Sequence, residues 1–192
     1  MAFQLEDGTG TGNRATVNSE NRLLTTAINH ELQHHMSFYD GQVYQVIGDH
    51  NLTSSGTKPI LHITNTDPDK DLTVSYMRVQ YPDSTSVIDM DTYFQLGFGR
   101  EYVSNGSIVT PVNMNASSGN DAIVECHSSN PVLSGSFNEL DRWYCDKSMM
   151  TFNKHGSLVL GLGNSMEWRL VTNQTSGLAY VRVTMMMMNK PV

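Results

Sequence analysis

From Gln42 onward apolar and polar residues alternate with a period of two, which puts successive side chains on opposite faces of a strand. Leu72, Val74 and Tyr76 stand against Thr73, Ser75 and Met77, the plainest case. The pattern predicts strands over 43–47, 60–64, 72–80, 87–96, 107–112, 122–126, 133–135, 141–145, 158–161, 166–171 and 178–187. Asn65–Lys70, Asn105-Gly106 and Thr172–Gly177 carry turn chemistry between them. Gly97 and Gly99 are expected to end the strand that begins at Val87, and the last three strands read as a meander. Short strands at roughly 8–12-residue spacing, with polar turns, predict an all-β antiparallel β-sandwich that is jelly-roll-like.

Residues 1–41 break this pattern and read as an N-terminal arm, leaving 42–192 as the sandwich. Asp7 to Gly12 is glycine-rich, and glycine loses the most entropy on ordering. Ala15–Val17 and Arg22–Ile28 alternate weakly around turn-forming Asn18–Asn21, while Leu24, Ala27, Ile28 and Leu32 also fit one helical face. The arm is therefore extended or partly helical. Asp40-Gly41 reads as a hairpin turn.

The chain has 192 residues, 39% hydrophobic and only 16% charged, with a formal net charge of −7. A phosphate-binding surface needs clustered Lys and Arg, and no such cluster is present, so no nucleic-acid partner is expected. No apolar stretch approaches the roughly 20 residues of a membrane helix, so no membrane partner is expected. The opening Met1–Gly10 lacks the basic and apolar regions of a signal peptide, so Cys126 and Cys145 are expected as reduced thiols.

One catalytic motif has to be weighed. His30-Glu31-Leu32-Gln33-His34 matches H-E-x-x-H, which on a helix puts two imidazoles on one side of a zinc ion with the glutamate as base. The longer form of the motif needs Gly at 37 and His at 40, where this chain has Ser37 and Asp40, and the next glutamate is Glu101. His30 and His34 stay as weak metal candidates, and a zinc hydrolase as the remote alternative. No GxSxG elbow and no phosphate loop is found, so no catalytic residue and no cofactor are expected. Asp67, Asp69 and Asp71 read as turn carboxylates, as do Asp89 and Asp91 on one strand face. Cys126 and His127, adjacent on a strand, should face opposite ways.

The segment Asp7-Gly8-Thr9-Gly10-Thr11-Gly12, continuing through Ala15, Val17 and Asn21-Arg22-Leu23, resembles the N-terminus of virion structural proteins of tailed bacteriophages. A Thr/Ala-rich stretch around Thr26 leading to Glu31 and His34, and a strand like Pro59–Asn65, extend the likeness over the first 65 residues. The resemblance implies a non-enzymatic capsid decoration or cement protein, located in the virion and assembled in the bacterial cytoplasm. It implies the major capsid protein and copies of itself, a trimer favoured, as partners. Arg14, Val17, Arg22, Leu23, Leu24, Ile28 and Leu32 are the expected contacts of the arm, which would reach roughly 100 Å if stretched. The alternative is a tail, collar or fibre subunit that binds a receptor or carbohydrate through an aromatic platform drawn from Tyr93, Phe94, Phe98, Tyr102, Trp143 and Tyr144.

Overall fold

The computed structural model describes residues 16–17, 23–24, 36–37, 40–81, 91–145 and 149–190, with backbone only at 16–17, 23–24, 155 and 156. The chain divides into two units, Met1–Glu31 and Leu32–Val192. In the first, β1 (Thr16–Val17) and β2 (Leu23–Leu24) pair antiparallel, with Thr16 opposite Leu24 and Val17 opposite Leu23. Thr16–Val17 and Leu23–Leu24 therefore run in opposite directions. Pairing also makes Leu23 and Leu24 extended rather than helical.

The second unit is the antiparallel β-sandwich the alternation predicts. Its main strands are β3 (Val43–Asn51), β4 (Gly56–Asn65), β5 (Lys70–Gln80), β6 (Tyr93–Phe98), β12 (Asn138–Tyr144), β13 (Met149–Leu160), β14 (Ser165–Thr172) and β15 (Leu178–Asn189). Sheet I runs β12-β6-β14-β4, and sheet II runs β13-β5-β15-β3. Numbered one to eight along the chain, these strands lie in the orders 5-4-7-2 and 6-3-8-1, the interleaved strand order of a jelly roll.

Between β6 and β12 the chain makes a long insertion with five short strands: β7 (Glu101–Ser104), β8 (Ser107–Ile108), β9 (Val112–Asn113), β10 (Val124–Ser128) and β11 (Val132–Ser134). β10 and then β8 extend sheet I beyond β4, and β9 extends sheet II beyond β3. β7 and β11 pair only with each other.

The core lies between the sheets. Met166, Trp168 and Leu170 of β14, Leu61 and Ile63 of β4, and Phe94 and Leu96 of β6 face Val74, Met77, Val79, Val181 and Val183 of sheet II, all buried. The Trp168 indole Nε1–H donates to the Met77 Sδ at 3.2 Å, which satisfies a buried donor in an otherwise apolar layer. Gly48 of β3 lies where a Cβ would come within 2.7 Å of the Leu61 side chain, so the two sheets approach closely at this edge.

Several sequence expectations need correction. The last three strands are no meander: β13 and β15 belong to sheet II and β14 to sheet I, so the chain crosses the sandwich at each turn. β13 begins at Met149, nine residues before the predicted start, because pairing with β5 carries it across a polar stretch by a bulge between Asn153 and Leu158. The strand predicted over 107–112 is two. β8 pairs with β10 in one sheet and β9 with β3 in the other, and the residues between them bridge the sheets. β6 starts at Tyr93 and runs through Gly97, ending before Gly99, while residues 82–90 lie outside the described residues. Asp40-Gly41 is followed directly by β3, and Gly41 takes a left-handed conformation (φ 58°) against Ser118.

Candidate functional site

The insertion from Gly99 to Phe137 holds the features that set this sandwich apart. It leaves β6 at Gly99, whose φ of 93° favours glycine. Gly97, just before it, has no Cβ, and one there would strike the Phe137 ring at 2.5 Å. The absence of a side chain lets Phe137 lie on the outer face of sheet I, where the Arg169 guanidinium stacks 3.4 Å from its ring centre.

Further along, β7 and β11 cover a row of polar side chains on that face. Strand register places Glu167 of β14 opposite His62 of β4, and His62 opposite His127 of β10. All three are buried although they point away from the core. The His62 Nε2–H donates to the Arg100 carbonyl at 2.9 Å, and the Ser165 hydroxyl donates to the same oxygen. The Arg100 guanidinium faces the Glu167 carboxylate at 3.4 Å and donates to the Leu133 carbonyl at 2.6 Å. Tyr102 lies flat on His127, ring centres 3.5 Å apart, and the His127 Nε2 meets the Glu125 carboxylate at 2.7 Å. Burial pushes the Glu167 carboxyl above its ordinary value, against the pull of Arg100 and Arg169. Burial likewise lowers the His62 imidazole, outweighing its bond to the Arg100 carbonyl.

The middle of the insertion ties down the chain just before the sandwich. The Asn113 and Asn120 amides donate to the Gly41 and Asp40 carbonyls at 2.9 Å, and the Asn115 amide donates to the Ser37 carbonyl at 3.0 Å. Asn105-Gly106, both with positive φ, makes the predicted turn. A Cβ on Gly106 would lie 2.4 Å from the Ser128 carbonyl, so the turn packs directly on β10.

The insertion also exposes several large apolar residues. Ile108 is 79% exposed, Val112 68% and Val103 55%, and Met114, Ile123 and Val132 are exposed as well. Scattered single apolar residues are ordinary on a surface, but a concentration within one insertion is not.

The expected site residues fall as follows. Arg14, Arg22, Ile28 and Leu32, and the His30 and His34 pair, lie outside the described residues, while Val17, Leu23 and Leu24 belong to the β1–β2 pair. The expected aromatic platform does not assemble. Phe94 is in the core, Phe98 packs against it, Trp143 stacks on Phe152, and Tyr102 covers His127. Tyr93 and Tyr144 remain together on the outer face of sheet I, ring centres 5.5 Å apart, with Arg142 over Tyr93 and Tyr144 56% exposed. Asp67 is buried and its carboxylate accepts the Asp69 and Lys70 backbone N–H groups, which makes it a turn cap. Among the described residues no group of three or more His, Cys, Asp or Glu could hold a metal ion. Cys126 and Cys145 are buried thiols in the reduced state, and burial pushes the Cys126 thiol up to about 12, which keeps it protonated. As expected, Cys126 and His127 point to opposite faces of one strand.

Sequence reasoning missed the His62–Glu167–His127 row. Its signal was a polar residue flanked by apolar ones in Leu61-His62-Ile63 and Met166-Glu167-Trp168, but the alternation reads equally as a wet outer face. Among the described residues no helix is long and apolar enough to cross a membrane. No protein-family model matches the chain, and a search of curated proteins finds no match.

Proposed function

We propose that this protein is a non-enzymatic structural component of a bacteriophage virion, a capsid decoration or cement protein whose jelly-roll domain seats on neighbouring capsid subunits. The observation that carries the reading is the group of exposed apolar residues in the insertion, with Ile108 and Val112 on the edge strands of the two sheets and Met114 just after β9. Burying such residues against another subunit stabilises an assembly through removal of apolar surface from water, with no chemistry required. The same insertion holds Ser37, Asp40 and Gly41, so it fixes where the chain leaves the sandwich towards its N-terminal segment. The phage-like Asp7–Leu23 segment supplies the rest of the argument, with the major capsid protein and further copies of the chain as partners, as a trimer in the virion.

Cosedimentation with capsid shells that lack the protein tests this. Wild type is expected in the pellet, and the Ile108→Asp/Val112→Asp double variant, still folded by circular dichroism, in the supernatant. Equal pelleting of the variant, or no pelleting of wild type, defeats the reading. A copy number in the hundreds per purified particle belongs to a capsid protein, and a handful belongs to the tail.

A second reading rests on Tyr93 and Tyr144. A half-exposed aromatic pair beside an arginine suits stacking on a sugar ring, as in a receptor-binding tail or fibre subunit. A glycan-array signal abolished by Tyr144→Ala, together with no binding to shells, would favour it.

A further inference from the structure

We propose that the β7–β11 ladder is an acid-released lid over the outer face of sheet I, latched by His62 through the Arg100 carbonyl. The inference is independent of the virion reading and begins with how this ladder is held down. β7 and β11 share no ladder hydrogen bonds with either main sheet. Over the polar row the attachments include the His62 and Ser165 bonds to the Arg100 carbonyl, the Arg100–Glu167 ion pair and the Tyr102–His127 stack, while the turn before β11 is hinged to β3 and β4 by the Ser129 and Asn130 backbone N–H groups on the Asp49 and Pro59 carbonyls.

His62 is the group whose protonation this arrangement cannot absorb. Its Nε2–H is committed to the Arg100 carbonyl, which leaves Nδ1 bare in the neutral ring. That Nδ1 is buried and has no hydrogen-bond partner, and the same holds for Nδ1 of His127. Adding a proton creates a buried cationic donor with nothing to receive it. Its charged and titratable surroundings come from three elements. Arg100 lies on the connection above, Glu167 on β14, and His127 and Glu125 on β10. His127 in turn faces His62, its own strand's Glu125 and the Tyr102 ring. The Arg100 guanidinium opposes a charge on His62, and Glu167 is already engaged by Arg100.

Lifting the ladder would open His62 Nδ1 to water. With the lid closed the imidazole lies below its ordinary value of 6.5, and with the lid open it returns towards that value. The open form therefore binds more protons in the window below 6.5, and falling pH shifts the population towards it. Glu167 works the other way. Its carboxyl is raised above 4.5 while covered, so acid favours the covered form through that group. A side chain at 167 that is neutral at every pH therefore holds the covered form at every pH. Opening would carry Val103 and Val132 off the sheet and change the apolar surface the insertion presents.

Backbone 1H–15N spectra of the full chain, taken from about pH 8 to about pH 5, test the proposal across the histidine range. The amides of β7 and β11 are expected to move together in one transition below 6.5, while those of β3 and β15 stay in place. His62→Gln keeps a donor for the Arg100 carbonyl but cannot take a charge, so the transition should vanish. Glu167→Gln, neutral at every pH, should move it to lower pH. If the β7 and β11 amides change only when the whole spectrum collapses, or if His62→Gln retains the transition, the lid does not exist. Should His62→Gln fail to fold, long-range 1H–15N spectra of the wild-type imidazoles decide the matter. His62 must gain its proton in step with the β7 amides, and a His62 still neutral after they have moved overturns the proposal.

Discussion

The two faces of β14 are built from neighbouring residues and held in opposite ways. Inward, Met166, Trp168 and Leu170 lie in a close-packed apolar layer shared by both sheets. Outward, Ser165 and Glu167 lie under an insertion that satisfies them with a carbonyl and a guanidinium, while Arg169 stacks on Phe137 of the insertion and donates to the Gln95 side chain of β6. Glu167 is as buried as its core neighbours. Burial alone therefore does not define the core of this protein. The inner face gains from apolar area and is indifferent to pH, whereas the outer face depends on hydrogen-bond geometry and on which groups are charged.

The largest test of this contrast is Trp168→Ala. Emptying a central aromatic site should cost about 3–5 kcal/mol in denaturant titrations, with both faces lost in one transition. A smaller loss confined to the insertion would mean that the inner layer does not bind the two sheets together. Next comes Gly97→Val, which pushes against Phe137 and the Asn138 carbonyl from the outer face. Overpacking there should cost about 1–3 kcal/mol and open the insertion to proteases before the strands of sheet II.

Glu167→Gln tests electrostatics without changing shape. The folded carboxyl is raised above 4.5, so its contribution is favourable below that value and is lost as pH rises through the folded value. The neutral variant should then gain on wild type as pH rises towards 8, measured as the difference in thermal midpoints, and the gain should shrink in acid. A wild type that is the more stable partner at pH 8 would show that the Arg100 pair outweighs the burial of charge. The smallest effect belongs to Lys154→Ala. This half-buried partner of Asp141 belongs to β13, away from both faces of β14, and its loss should cost about 0–1 kcal/mol.

The strand class was legible because alternation is local. Leu72–Gln80 and Met166–Val171 announce themselves, and the predicted ends come within a residue or two of β5 and β14. Asn105-Gly106 was equally plain, since both residues tolerate positive φ. β13 was only part legible, because Asn153 to Ser157 carries no alternation and a bulge against β5 holds the strand across it. The candidate surface was harder still. Ile108 and Val112 read as parts of one strand, but they lie on edge strands of different sheets and are exposed.

By itself the sequence determined that this is an antiparallel β protein, which residues share a strand face, and where tight turns fall. These follow from φ/ψ preference and from a side-chain period of two, properties of a few neighbouring residues. Only the tertiary structure decided that consecutive strands alternate between sheets, that residues 62, 127 and 167 become neighbours, and that an insertion buries them. Alternation fixes that a side chain points away from the core. Whether water or another segment of chain meets it there depends on contacts between residues far apart in sequence, and no local pattern records them.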